Sequence, residues 1–150
     1  MAENIEISNA EWEIMRVIWT LGEATSRQLV EIMEVKRQWK PATTKTLLGR
    51  LTTKGALATK KAGRGFIYYP LVEEQKTIDQ QLMRSFGNIC QMHTGKTLTY
   101  LVDNLDLTQT DIQNIMAVLQ QKLPDAPTTL ACDCIPASFG LKHCKSCQEG

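Results

Sequence analysis

Four of the five cysteines fall in the last nineteen residues, as Cys132-Asp133-Cys134 and Cys144-Lys145-Ser146-Cys147, while Cys90 stands alone. Soft thiolate sulfurs select zinc and copper(I) over hard cations. Four of them complete a tetrahedral zinc shell and leave no open position for catalysis. Copper(I) is satisfied by two or three thiolates, and close pairs can bridge neighbouring ions, so its arrival would reorganise a zinc-bound tail. His143, beside Cys144, could substitute as a donor, although a bystander role is the simpler reading. A passive zinc staple and a thiol redox switch that closes disulfides are the competing uses of the same residues. Cys90 lies near the apolar side of a helix and reads as a small core residue. His93 has no companion pattern and receives no role.

A second group of residues points to a polyanion. The chain has 17 Lys and Arg against 16 Asp and Glu, yet nine of the basic residues lie between Lys36 and Arg64, a stretch with no acidic residue. Elsewhere eight basic residues face all sixteen acidic ones. A solvated basic face is the bland explanation for one charged helix, but 29 residues without a carboxylate suggest a surface for nucleic acid.

Those residues need a scaffold, and the spacing predicts one. Ser8 with Glu11 forms a capping box, Ile7 and Trp12 a hydrophobic staple. Trp12, Met15, Ile18 and Trp19 follow at helical spacing, with Ile14 and Val17 widening the stripe. Leu21-Gly22 ends this helix. Thr25 with Gln28 caps a second, carrying Leu29, Val30, Ile32 and Met33, and Lys36 to Lys40 is expected as a loop. Pro41 opens a third helix, buried through Leu47, Leu48 and Leu51 and ended by Gly55. Its other face repeats Thr43, Thr46 and Arg50 at i, i+3, i+7, with Lys45, Gly49 and Lys54 alongside. Residues 56–61 and 66–70 read as strands around Ala62-Gly63-Arg64-Gly65. Three helices and a basic hairpin make a winged helix-turn-helix, whose outward Thr, Lys and Arg suit phosphates and base edges in a major groove.

The second half is helical and more acidic. Ile78, Leu82, Phe86 and Ile89 predict a helix of about five turns from near Glu73. A shorter piece carries Leu98, Leu101, Val102 and Leu105. Thr108 with Asp111 caps another, with Ile112, Ile115, Met116, Leu119 and Leu123 on one side. These helices are too few to bury themselves in one chain and suggest pairing between two protomers, the alternative being that they fold back on the first half. Pro124 to Ala131 reads as a linker into the cysteines. No run approaches the ~18 apolar residues of a membrane span, and the acidic N-terminus lacks a signal pattern. The chain is therefore expected in the cytoplasm. No phosphate loop, no zinc site with a vacant position and no convincing Cys–His pair supports an enzyme.

Residues 7–19, Ile-Ser-Asn-Ala-Glu-Trp-Glu-Ile-Met-Arg-Val-Ile-Trp, resemble the opening helix of the penicillinase-repressor and copper-repressor family. Residues 43–51, Thr-Thr-Lys-Thr-Leu-Leu-Gly-Arg-Leu, with Lys54-Gly55-Ala56-Leu57, are similar to its recognition helix and exit. The resemblance covers residues 5 to about 123. It implies a homodimeric winged-helix repressor on a short inverted repeat, with Thr43, Lys45, Thr46 and Arg50 in the groove and Arg64 on the wing; Lys54 is counted with this DNA-facing set. One branch of the family is relieved by proteolysis after an Asn-Phe step; this sequence contains no Asn-Phe, which leaves relief by cleavage at a shifted site as the alternative reading. In the copper branch a zinc-loaded dimer holds DNA and is released when copper(I) displaces zinc at C-terminal cysteines. That branch has two Cys-x-Cys pairs four residues apart, whereas this tail reads Cys-x-Cys, nine residues, Cys-x-x-Cys, a departure that leaves room for another soft ion.

The sequence thus leads to a mainly α fold with a small β hairpin. A winged-helix DNA-binding domain is expected over 1–72, a helical dimerisation region over 73–123, and a linker with a metal-binding tail over 124–150. Expected DNA contacts are Thr43, Lys45, Thr46, Arg50, Lys54 and Arg64; expected metal ligands are Cys132, Cys134, Cys144 and Cys147. Zinc(II) in the DNA-bound form, copper(I) as inducer, double-stranded operator DNA, a second copy of the chain and a copper chaperone as metal donor complete the expectation, with copper-export genes as the target.

Overall fold

The computed structural model describes residues 4–139 and Lys145. The chain divides into two compact units, one running to Met83 and the other beginning at Arg84. The division falls within a helix, later than residue 72, because the segment after the wing is bound into the first unit: the Trp19 indole Nε1 donates to the Val72 carbonyl at 3.0 Å, and Thr77 is buried.

In the first unit, α1 (Asn9–Leu21) starts at the expected capping box. The Ser8 amide donates to Glu11 Oε2 at 3.1 Å and the Glu11 amide to Ser8 Oγ at 3.3 Å. A two-residue strand β1 (Ala24–Thr25) leads into α2 (Ser26–Arg37), capped reciprocally by Thr25 and Gln28. The helix continues through Lys36 and Arg37, where a loop was expected. Both side chains reach Glu13 of α1, at 2.9 and 2.6 Å, and cations suit the negative end of a helix. Gln38, in the left-handed region at φ 54°, stops it. Three residues then separate α2 from α3 (Pro41–Thr53), the spacing of a helix-turn-helix. Beyond α3, Gly55 sits at φ 82°; its amide donates to Thr52 and the Ala56 amide to Leu51, the paired bonds of a Schellman stop.

Strands β2 (Leu57–Ala62) and β3 (Gly65–Pro70) pair antiparallel, with Ala62 opposite Gly65 across the Gly63-Arg64 turn. β1 pairs with the far side of β3, Ala24 opposite Tyr68, giving the order β1-β3-β2. The core is where periodicity placed it. Ile14, Met15 and Ile18 of α1, Leu29 and Met33 of α2, Leu47, Leu48 and Leu51 of α3, and Ala56 and Leu57 are buried together. Half-buried Trp12, Trp19, Trp39 and Tyr68 border them.

In the second unit, α4 (Glu74–Gly87), which begins in the first, ends two residues short of Ile89. The expected fifth turn gives way to a bend and a 3₁₀ turn, Gln91–His93. Then come α5 (Thr94–Asn104) and α6 (Gln109–Lys122), the latter capped by Thr108 and Asp111 as expected, with the Thr108 hydroxyl and amide holding the Asp111 carboxyl below its ordinary range. Neither α5 nor α6 has a buried residue. Leu98, Val102, Leu105, Ile112, Met116 and Leu119 are all exposed. No helix among the described residues is long and apolar enough to cross a membrane.

Thr44 is fully buried on the inner face of α3, and its Oγ1 has no hydrogen-bond partner among the described residues. Removing an unsatisfied hydroxyl while keeping shape relieves a desolvation penalty. Thr44→Val is therefore expected to stabilise the protein by about 1 kcal/mol in urea denaturation; a lower midpoint would show that the hydroxyl is satisfied in solution.

A second expectation concerns acid. Arg37 and Lys36, hydrogen-bonded to Glu13, lower its carboxyl from 4.5 to about 2. A depressed folded-state pKa contributes stability above the unfolded value, and that contribution is lost as pH falls toward the folded one. Glu13→Gln should cost at most about 1 kcal/mol at neutral pH, and the gap from wild type should close between pH 4.5 and about 2. A gap unchanged across that window would refute the assignment.

Candidate nucleic-acid interface and thiol cluster

On α3, burial of Thr44, Leu47, Leu48 and Leu51 leaves Thr43, Lys45, Thr46, Gly49 and Arg50 exposed on the opposite side. The outward set thus combines two hydroxyls, two cations and a glycine that lets a partner approach closely. Arg64 is exposed at the hairpin tip, next to Gly63 at φ 59°. The wing is solvent-facing beyond its base: from Thr59 to Phe66 every residue is exposed.

Lys54 differs from the other expected contacts. Its ammonium bonds Glu11 Oε2 at 2.6 Å and the Glu6 carbonyl at 2.8 Å. Glu11 is 2% exposed, so a buried carboxylate holds the charge that was expected to face DNA. The sequence offered no warning, because Glu11 already had a role as the capping acid. Three other cations of the basic run are also engaged: Lys36 and Arg37 by Glu13, and Lys60 by Glu23 at 2.6 Å. Lys40, Lys45, Arg50, Lys61 and Arg64 make no ion pair among the described residues. Lys40, at the N-cap of α3, and Lys61, on the wing, were not singled out from sequence, although both lie in the acid-free run.

Two of the four expected metal ligands are described. Cys132 and Cys134 lie with Cys90, all three Sγ atoms within 4.8 Å of one another. Cys90 is buried, at 8% exposure, as expected of a small core residue, and its sulfur also lies against two thiols. Cys144, Cys147 and His143 lie outside the described residues. Bonds on either side of Cys132 hold the tail beside Cys90. The Gln91 amide donates to Asp133 Oδ1 at 3.0 Å, and Gln91 Nε2 donates to the Ala131 carbonyl at 2.6 Å. Crowding shows in the acidity of the exposed member: hydrogen bonds with Cys132 and Cys90 push the Cys134 thiol up to about 12.

The donor set fits a soft metal ion. Sulfurs sharing a tetrahedral ion with bonds of about 2.3 Å stand about 3.8 Å apart, so the observed spacing requires less than a bond length of contraction. A cation would also counter the opposition of the neighbouring thiols to ionisation of Cys134.

A helix-turn-helix with a basic, outward recognition helix and a solvent-facing wing defines a winged-helix DNA-binding protein. The chain belongs to the penicillinase repressor family, whose sequence profile matches residues 7–121. It is 44% identical over 137 residues to an uncharacterized 16.5 kDa protein of the ptsI 3' region in Latilactobacillus sakei, covering 91% of this chain and 94% of that one. It is 35% identical over 118 residues to the methicillin resistance regulatory protein MecI of Mammaliicoccus sciuri, covering 78% and 95%. The DNA-binding domain of the repressor BlaI aligns with a TM-score of 0.46 and 38% identity over 49% of this chain and 90% of that domain. The protein is accordingly a DNA-binding transcriptional repressor and not an enzyme.

The different settings of Arg50 and Lys54 separate their expected phenotypes. Arg50→Ala should weaken operator binding about tenfold or more, a loss of roughly 1–3 kcal/mol, with an unchanged denaturation midpoint. Lys54→Ala leaves a buried carboxylate without its cation and should destabilise the fold by about 2 kcal/mol. Operator titrations beside urea curves check both; normal operator affinity in Arg50→Ala would overturn the assigned orientation of α3.

Proposed function

We propose that the protein is a metal-responsive repressor that binds an inverted-repeat operator as a homodimer. Zinc is held by the tail thiolates in the DNA-bound form. These thiolates exchange zinc for copper(I), and the repressor then leaves the operator of copper-export genes, with a copper chaperone as donor. The observation that carries this reading is the convergence of Cys132 and Cys134 on a third thiol in the unit that contains α5 and α6. Soft thiolate donors favour zinc and copper(I), and bound zinc would supply cross-linking charge there, not catalysis.

The exposed apolar residues of α5 and α6 support the dimer. With no buried residue in either helix, a second copy is the simplest cover, and twofold symmetry would match an inverted repeat. Two recognition helices would then enter successive major grooves roughly 34 Å apart. The five cations of the basic run that make no ion pair among the described residues would make affinity fall steeply with salt. In the cytoplasm, the metal would be read from the copper pool that the repressor governs.

Fluorescence anisotropy of the zinc-loaded protein on DNA from its own promoter, titrated anaerobically with copper(I), tests the reading. Release at about one or two copper ions per chain, with zinc appearing in solution, is expected. Loss of zinc without DNA release, or retention of both, would overturn it.

A further inference from the structure

Cys90 and the tail cysteines are about forty residues apart in sequence, yet their thiols meet. We propose that Cys90, Cys132 and Cys134 form a three-thiolate site for a thiophilic metal ion, and that the bound ion clips the tail to the junction between α4 and α5. The proposal deepens the metal-sensing reading and rests on it only in taking the tail as a metal site.

Three observations carry it. The sulfurs are mutually within 4.8 Å, so one ion reaches all three with a small adjustment. The backbone that presents them is already in place, because the Gln91 amide binds Asp133 and the Gln91 side chain binds the Ala131 carbonyl. Asp133 lies between the two tail cysteines, so its bond to Gln91 sets both beside residue 90. Finally, exposure is graded: Cys90 is buried, Cys132 half-buried and Cys134 exposed. An ion can therefore enter past Cys134 and be shielded at Cys90.

The number of donors bears on the occupant. Three thiolates satisfy copper(I), which takes soft, low-coordinate sites. Zinc needs a fourth ligand to complete its tetrahedron, which these three residues do not supply. The site is thus matched to copper(I) by donor count, and Cys90 is what raises the Cys-x-Cys pair to three. Its position also gives the ion mechanical purchase. Cys90 lies three residues beyond Gly87, the end of α4, and directly precedes the 3₁₀ turn that leads into α5. Occupancy consequently fixes the start of a helix in the proposed dimerisation region and not a free tail.

The full-length Cys144→Ser/Cys147→Ser variant, titrated anaerobically with cadmium(II) and followed by thiolate-to-cadmium charge-transfer absorbance, isolates the site. One ion per chain is expected. Adding Cys90→Ser should remove about a third of that intensity and weaken binding about tenfold or more. Cys90→Ala, which keeps a small apolar group in the buried position, should show the same loss. Failure of the double variant to bind cadmium overturns the proposal, as does undiminished intensity and affinity after Cys90→Ser. Loss with serine but retention with alanine would assign Cys90 to packing and overturn it too. Cadmium binding is read without DNA, so these failures count against this site alone. An operator complex that persists with copper(I) bound counts against the metal-sensing repressor.

Discussion

The placement of the recognition helix depends on one buried carboxylate. Glu11 closes the capping box at the start of α1 and also receives the ammonium of Lys54 just beyond α3, through the same Oε2. An ionised carboxylate at 2% exposure would be costly without such donors. The two bonds make that burial tolerable and couple elements distant in sequence. The start of α1 and the end of α3 cannot separate without stranding a charge. Lys54 also binds the Glu6 carbonyl, so the chain entering α1 is tied to the same point. The outward direction of Thr43, Thr46 and Arg50 follows from this anchoring together with the buried leucines behind them.

The same economy of acids shapes the surface. Glu11, Glu13 and Glu23 lie outside the basic run, yet they engage four of its nine cations. What remains is not a uniform basic face. Lys40, Lys45 and Arg50 lie at or on α3, and Lys61 and Arg64 on the wing. Charge counted along the sequence overstates the polyanion surface and conceals its division between helix and hairpin. The engaged cations orient the fold, while the unengaged ones are available to phosphates. Only three-dimensional pairing tells the two groups apart.

Local signals made much of this legible. The capping boxes at Ser8, Thr25 and Thr108 are short-range and appeared where their spacing put them. The leucines of α3 and the Gly55 stop are likewise properties of one helix. The remaining features depend on distant partners. β1 exists because Ala24 and Thr25 meet Tyr68 and Ile67, and no two-residue strand announces itself by periodicity. The last turn of α2 gains from Glu13 in another helix. Ile89 continued the apolar spacing of α4, but Gly87 precedes it and the chain bends instead. The apolar neighbours of Cys90 mark a core residue, and nothing in sequence brings it to Cys132 and Cys134 across more than forty residues.

The two units also differ in what can hold them together. The first buries a continuous core contributed by three helices and the sheet. In the second, α5 and α6 leave their apolar residues exposed, and Cys90 is the buried hydrophobic residue found there among those described. So small an interior supplies little stability of its own, and a bound metal or partner would add most there. A ligand that binds only the ordered form stabilises that form by mass action. A metal at the thiols and a second copy on α5 and α6 would therefore both act on the unit with the least cohesion of its own. Coupling between them is reciprocal by thermodynamic necessity: an ion that alters the geometry of the dimer on DNA must itself be bound with altered affinity when DNA is present. Under the proposed reading such coupling would need no rigid connection between the parts, because the poorly cored unit would be the element whose order both ligands bias.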